Sequence, residues 1–461
     1  MTSLNGNTSA IIFTCLAVIM SFLRKYKPFR VWFTSLFETS LSDYFLPSKQ
    51  IVVSSPTFTL SKTSAHFKEH GNTTLYELIQ ALTQLQEYLI RGQRQNGVIF
   101  NRTRELQPEN LMHLRRIKYF SKVDEVNKSI QQNNISVQLV IRYVLERLIE
   151  NNKNNDMMEH LPDILKTTCA DLGFMTSDKG ELIPTGDTII LANSPSKQST
   201  VVEALGHLCR DWSSSFECER NPLNDFVHKR LQVSLKPSSD QDTLVIVPGA
   251  GVGQLAQSIA HKFPHCKVDS IEWSALMYVF NQFALDHPYD LDISPFSQYY
   301  SGHVDPESQT RQVQVNLKDV IRPANLNVLW GDFRQYTTND KQYKKIFVCT
   351  AFFIDTAENL FEYFQAIEEF TNYCDELHWI NIGPLKYGTR PLVQFTVSEL
   401  KDLRRIRGWE DKCEEVVNDY NKKLNGYMTD YESLYQGYYG LLKFHSVFHQ
   451  KGKESAVNNS N

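Results

Sequence analysis

The 461-residue chain has no CxxC pair among its eight scattered cysteines. That removes the zinc-ribbon and thioredoxin-type redox motifs and leaves buried, reduced thiols as the expected state. No metal is expected. Positive charge is not in excess: 48 Lys and Arg against 52 Asp and Glu give a net charge of −4, so nucleic acid is not an expected partner. A long apolar run is missing too. The uncharged stretch Ser9–Leu23, "SAIIFTCLAVIMSFL", falls short of the ~18–20 residues a spanning helix needs. Its positive charges, Arg24, Lys25 and Lys27, come after it, whereas a secretory signal has them before. The stretch reads either as a marginal membrane anchor or as residues upstream of a start at Met20. A cytoplasmic location, with access to the nucleus, is the expectation, and anchoring through residues 9–23 the alternative.

What is present falls into parts. Residues 1–70 show no strong period and carry a Ser/Thr-rich stretch, so a poorly ordered extension is expected there. Residues 71–238 read as mainly helical. Leu75, Leu78, Ile79, Leu82, Leu85 and Leu89 recur at threes and fours, as do Val137, Val140, Ile141, Val144, Leu145 and Leu148. A third amphipathic helix runs from about Thr200 to Trp212. From Leu244 the grammar changes to short apolar runs separated by helix-like stretches: "LVIVPGAGVG", "CKVDSIEWS", "LNVLWGDF", "KKIFVCTAFFID" and "ELHWINIGP". Continuous apolar strands alternating with helices predict an α/β domain over 239–450 with a parallel sheet covered on both faces. "GYYGLLKFHSVFH" suits a closing antiparallel strand. The interval 283–325 is too long for an ordinary connection and is expected to be a structured insertion or lid. Residues 451–461 form a tail.

The chemistry-bearing signals lie at strand ends. Gly249, Gly251 and Gly253 follow the first strand and precede a helix starting near Gln254, where a ligand needs close backbone approach and finds free N–H groups. Glu272 ends the second strand, 19 residues beyond Gly253, where an acid accepts hydrogen bonds from both ribose hydroxyls. Asp332 and Phe333 follow the third strand, suited to the amino edge and the face of an adenine. A plain βα turn and ordinary strand-end acids are the alternative reading. The spacing is GxGxG, not the dinucleotide GxGxxG, no base lies in the loop to pair with phosphates, and no GK[ST] follows. A nucleoside without a pyrophosphate, S-adenosylmethionine, is therefore the expected cofactor, and a nicotinamide dehydrogenase is disfavoured.

These segments resemble the carnosine N-methyltransferase (N2227-like) family. The resemblance is carried by "RDWS" at Arg210–Ser213 with "ER" at Glu219 and Arg220, by "VPGAGVGQLA", by "EWS" from Glu272, and by "GDF" from Gly331. It continues through "FFIDTAEN" from Phe352 and "WINIGPLKY" from Trp379, and covers most of residues 75–450. It implies a class I methyltransferase (Rossmann-like) fold with an added N-terminal mainly helical region. The implied reaction is methyl transfer from S-adenosylmethionine to an imidazole nitrogen of carnosine, giving anserine. It also implies that Arg210 contacts the cofactor carboxylate, with Gly249, Glu272, Asp332 and Phe333 along the rest of the cofactor. His207 and Ala351 stand where the family has Gln and Cys. A guanidinium matches a carboxylate in a two-pronged geometry, which supports Arg210 independently.

Asp355 is the candidate catalytic residue. At the carboxyl edge of the sheet it would accept the N–H of a neutral imidazole, fix its tautomer and stabilise the cation formed on methylation. Alternatively it caps the helical run that follows, with Glu358 three residues on as in a capping box. The resemblance favours substrate contact, and adds Tyr427 and Tyr439 as the substrate-binding pair, for which simple aromatic packing is the alternative. The family's GPLLYH segment reads "GPLKYG" here, with Lys386 for a Leu and Gly388 at the position of a substrate-holding His. His303, His378 and His445 are the histidines available to substitute. A protein-histidine methyltransferase, or a non-catalytic protein that keeps the cofactor fold for interaction, are the alternative functions. Oligomeric state has no signal in the sequence.

Overall fold

Thr243–Pro248 (β1) is buried at every position, the burial expected of an apolar run with helices on both faces. It is an interior strand of a seven-stranded sheet in the computed structural model, which describes residues 66–68, 74–153, 163–177, 181–185, 198–235, 242–388 and 390–449. All of these belong to one compact unit, Val53–Asn461. The apolar stretch 9–23, the rest of the extension to residue 65 and the tail 451–461 lie outside the described residues. Among the described residues, no helix is long and apolar enough to cross a membrane.

The other strands are Lys267–Glu272 (β2), Leu326–Trp330 (β3), Tyr343–Ala351 (β4), Cys374–Gly383 (β5), Trp409–Val417 (β6) and Leu441–Phe448 (β7). Their order is β6–β7–β5–β4–β1–β2–β3. β1 to β5 run parallel, and β7 enters antiparallel between β5 and β6. This is the class I methyltransferase sheet. The chain steps outward from β1 through β2 to β3 and then returns to β4 on the other side of β1. The carboxyl ends of β1 and β4 therefore flank the switch point, where such sheets bind ligands.

Strand β6 is not legible in the sequence, because five of its nine residues are charged. It is an edge strand, and its acids are answered from a neighbouring helix. Arg404 is fully buried, pairs with Asp411 at 2.9 Å and Glu414 at 2.7 Å, and lies 3.9 Å over the Phe444 ring. A buried polar chain ties β7 to the parallel strands: Trp379 Nε1 donates to Thr350 Oγ1 (3.0 Å), Thr350 to Asn381 Oδ1 (2.8 Å), and Asn381 Nδ2 to the Leu442 carbonyl (3.0 Å).

The helices of the N-terminal region are Thr74–Gln86 (α1), Tyr88–Arg102 (α2), Pro108–Arg116 (α3), Tyr119–Lys153 (α4), Asp163–Asp171 (α5), Gln198–Trp212 (α6) and Glu217–Ser234 (α7). Within the α/β part follow Gln254–Lys262 (α8), Ala275–Asp286 (α9), Leu360–Glu368 (α10) and Val397–Arg407 (α11). The Leu75–Leu89 periodicity thus crosses a helix boundary at Glu87, and the 137–148 pattern lies in the second half of a 35-residue helix. Between α9 and β3 the chain forms a hairpin, Leu291–Ile293 against Val313–Val315, with a short helical turn at Pro306–Thr310. It is bolted to α4: buried Asn133 donates to the Ser294 carbonyl (2.9 Å) and accepts from the Ser294 N–H (2.7 Å).

One part of the expected disordered extension is ordered. Phe67 is 2% exposed, bridges to Tyr336 and lies against Gly331, where any side chain would strike its ring. No local pattern marks Phe67, because its partners are contributed by the loop after β3.

Candidate active site

The loop after β1 is held in a left-handed conformation at Gly249 (φ +61°), Gly251 (φ +55°) and Gly253 (φ +89°), which side-chain-bearing residues rarely adopt. A Cβ at Gly249 would lie 2.4 Å from the Phe353 ring, and one at Gly253 2.4 Å from Asn281 Oδ1. A Cβ at Gly251 would meet nothing within 4 Å, so its outer side is open. Glu272 pins this loop. Its Oε2 accepts from the Gly251 N–H and its Oε1 from the Ser274 N–H, both at 2.8 Å. Burial raises its carboxyl above the usual range, and the two N–H bonds oppose that shift.

Helix α6 approaches the loop from the other side, where the Trp212 indole donates to the Val252 carbonyl at 3.1 Å. This places Arg210 in a cleft with Gly249, Gly251, Ala351, Phe352 and Tyr427, and His207 also lines it. Arg210 is 7% exposed. Its Nη1 donates to Asp211 at 2.9 Å, whereas its buried Nε and Nη2 have no hydrogen-bond partner. The nearest anion to Nε is Glu219, 3.7 Å away. Buried, unanswered guanidinium donors are costly, and a ligand carboxylate is the chemistry that satisfies them.

Asp332 and Phe333 both have partners within the protein. Asp332 caps the turn after β3, and its carboxylate is forked by Arg334, with Nη2–Oδ2 at 2.6 Å. Phe333 is 4% exposed, its ring edge-on to Phe353 and Tyr363, so core packing accounts for it.

Asp355 does not cap a helix, which corrects the capping-box expectation. α10 starts five residues later at Leu360, and Asn359 caps it by accepting the Phe361 N–H at 3.2 Å. Asp355 lies in a short turn, 7% exposed, and its Oδ2 accepts the Lys386 N–H at 2.9 Å. Burial raises its carboxyl, opposed by the Lys386 N–H. The carboxylate thus joins the loop after β4 to the loop after β5.

Beside Arg210 stands an aromatic group that sequence reasoning only half identified. Phe352, unassigned in the sequence, has φ +50°, a strained value for a bulky residue that turns it out of β4. Its ring lies 4.7 Å from Tyr427 and 6.0 Å from Tyr439, while the Arg210 guanidinium sits 4.5 Å over the Tyr427 ring. Tyr427 and Tyr439 meet edge to face at 6.3 Å, and the Tyr427 hydroxyl lies 3.4 Å from His207 Nε2. Burial pushes the Tyr427 phenol up to about 12, so it stays protonated. The expected pair is together. Gly388 is exposed, and a Cβ there would meet nothing within 4 Å. None of the three spare histidines fills that place. His378 and His445 are buried within the sheet and bond each other at 3.1 Å, and His303 lies 3.6 Å from Asp430.

The Tyr427 segment is held by a residue whose role the motif did not disclose. Glu219 is fully buried and accepts from the N–H of Met428 (2.8 Å), the N–H of Thr429 (2.9 Å) and the Tyr431 hydroxyl (3.0 Å). Arg220 donates to the carbonyls of Arg210 and Ser213, closing the end of α6. Glu219→Gln replaces one of its two acceptor oxygens with an NH2 donor facing a fixed backbone N–H, and is expected to cost about 3 kcal/mol of stability in a urea titration. A loss under 1 kcal/mol would show that the segment is held by other contacts.

The sequence profile described as carnosine N-methyltransferase matches residues 188–450. The span runs from just before α6 to the end of β7 and includes every element of this site. The uncharacterized protein YMR209C of Saccharomyces cerevisiae is 43% identical, with 95% of this chain and 98% of that protein covered. A carnosine N-methyltransferase of Schizosaccharomyces pombe is 28% identical over 52% of this chain and 68% of its own length. Among solved structures, magnesium protoporphyrin IX methyltransferase of Synechocystis PCC 6803 is 13% identical with a TM-score of 0.33, covering 54% of this chain and 95% of that one. Matched by its profile over more than half of its length, and carrying the matched motifs on a methyltransferase sheet, the chain belongs to the carnosine N-methyltransferase family.

Proposed function

We propose that this protein transfers a methyl group from S-adenosylmethionine to an imidazole nitrogen of carnosine or a related small histidine-containing molecule. The observation that carries the reading is a buried guanidinium with unanswered donors in the cleft beside the glycine loop, with a buried carboxylate, Asp355, three residues beyond Phe352 of the same cleft. Arg210 fits the donor's carboxylate, the Gly249–Gly253 loop its close approach, Glu272 its ribose hydroxyls, and Asp332 its adenine edge once Arg334 shares it. His207 and Ala351 line the same side. When bound, the cofactor supplies an electrophilic methyl on a sulfonium centre.

The acceptor side is the work of Asp355. Lys386 occupies one of the roughly four acceptor positions of its carboxylate, leaving others for an imidazole N–H. Accepting that N–H leaves the other ring nitrogen bare and directs it away from Asp355 toward the cofactor side. As the ring gains positive charge, the carboxylate stabilises it, and the N–H proton leaves along the same bond. Tyr427 and Tyr439 enclose the ring, and the neutral Tyr427 phenol remains a hydrogen-bond donor.

The test is transfer of labelled methyl from S-adenosylmethionine to carnosine, other histidine dipeptides and free histidine. If the protein binds the cofactor yet labels none of them, the acceptor assignment fails. If it does not bind the cofactor in calorimetry, the whole reading fails. Gly388 supplies a second check. Gly388→His meets open space and adds one hydrogen-bonding group beside the acceptor, so kcat/KM for carnosine is expected to rise about tenfold. An unchanged value would place the acceptor elsewhere.

A further inference from the structure

Lys386 does two things at once. Its backbone N–H fixes Asp355, at 2.9 Å, and its side chain returns over the aromatic group, with Nζ 3.3 Å from Tyr439 Oη and 5.4 Å from the ring centroid. An ammonium has three donors, and here one goes to a neutral hydroxyl. Among the described residues Lys386 enters no ion pair. Since the tyrosine oxygen accepts from Nζ, its own O–H remains available as a donor. A phenol O–H therefore meets a cation on the very residue whose backbone N–H binds the carboxylate proposed to hold the acceptor ring.

We infer that Lys386 and Tyr439 together read a free carboxylate on the acceptor, so that the substrates are small molecules with an unblocked α-carboxylate next to the imidazole. This rests on the proposed reaction and narrows its substrate class. The geometry suits histidine, in which two carbon atoms separate ring and carboxylate: a ring N–H on Asp355 leaves the carboxylate within reach of a lysine rooted on the neighbouring loop. Two hydrogen bonds would join them, one from the ammonium and one from the phenol, and the first is charge-assisted. A histidine inside a protein has an amide at that position, and a decarboxylated amine has nothing there. Either would leave the ammonium without its anion. The open space at Gly388 lies beside this point and gives the rest of a dipeptide room.

The experiment compares carnosine with its C-terminal amide as methyl acceptors, using the full chain and labelled S-adenosylmethionine, for the unmodified protein, Lys386→Leu and Lys386→Arg. Calorimetry of cofactor binding serves as the folding control for each variant. The unmodified protein is expected to favour carnosine over the amide by at least tenfold in kcat/KM, on the order of one charge-assisted bond. Lys386→Leu should bring the ratio near one through loss on carnosine, and Lys386→Arg should keep most of it. Were Lys386 only tuning the Asp355 charge, both acceptors would fall together and the ratio would persist. That result, or equal use of both acceptors by the unmodified protein, overturns the inference alone. Faster methylation of a histidine within a peptide than of carnosine overturns it as well. Methylation of neither compound by a protein that binds the cofactor overturns the acceptor reading, and the inference with it.

Discussion

Asp355→Asn is expected to lower kcat/KM for methyl transfer by about 10²–10³-fold, the scale of losing one preorganised electrostatic contact to developing charge. The substitution is unusually clean. The Asn side-chain oxygen can still accept the Lys386 N–H that Asp355 accepts now at 2.9 Å, so the link between the two loops survives. The other side of the group changes from an acceptor to a donor and loses its charge. It can neither take an imidazole N–H nor stabilise an imidazolium. Cofactor affinity should stay within about twofold, because Asp355 is not among the residues that line the cleft with Arg210 and the glycine loop. The measurement is steady-state transfer alongside calorimetry. Activity within threefold of the unmodified protein would show that Asp355 serves only as the loop link.

Arg210→Lys is expected to weaken S-adenosylmethionine binding by roughly 10- to 100-fold, the equivalent of about 1.5–3 kcal/mol for a lost charge-assisted bond. Lysine keeps the positive charge, so buried Glu219, 3.7 Å from the guanidinium, is not stranded. Removing the charge altogether would leave that carboxylate unpaired and confound binding with unfolding. What lysine cannot supply is the planar fork of donors, including the two that are buried without partners. Calorimetry on the folded variant reads the effect directly. An unchanged dissociation constant would mean that the guanidinium faces Asp211 and the aromatic rings only, and that another group holds the ligand.

The parallel strands and the glycine loop were legible because each is a local pattern. β1 reads as a run of buried β-branched residues whichever neighbours it receives, and positive φ at three positions demands glycine. β6 was not legible: its acids look like a solvated segment until Arg404 is brought in from α11. The capping reading of Asp355 failed for a related reason. The spacing to Glu358 is compatible with a capping box, but the turn at Ile354–Thr356 delays the helix to Leu360, and Asn359 takes the role. Phe352 looked like the end of a strand, and nothing in "FFID" announces a left-handed backbone. Glu219 was visible as part of a motif, yet its three partners lie more than 200 residues away in the sequence.

By itself the sequence determined the five parallel strands and the closing strand, the glycine loop, the acids at the strand ends, and the family. All of these are set by residue type at short spacing, where backbone geometry and burial leave few choices. Only the tertiary structure decided what the acids do. It tied Glu272 to the glycine loop, engaged Asp332 with Arg334, joined Asp355 to Lys386 and buried Glu219 under the Tyr427 segment. A carboxylate takes its role from the donors that surround it, and those donors come from distant parts of the chain.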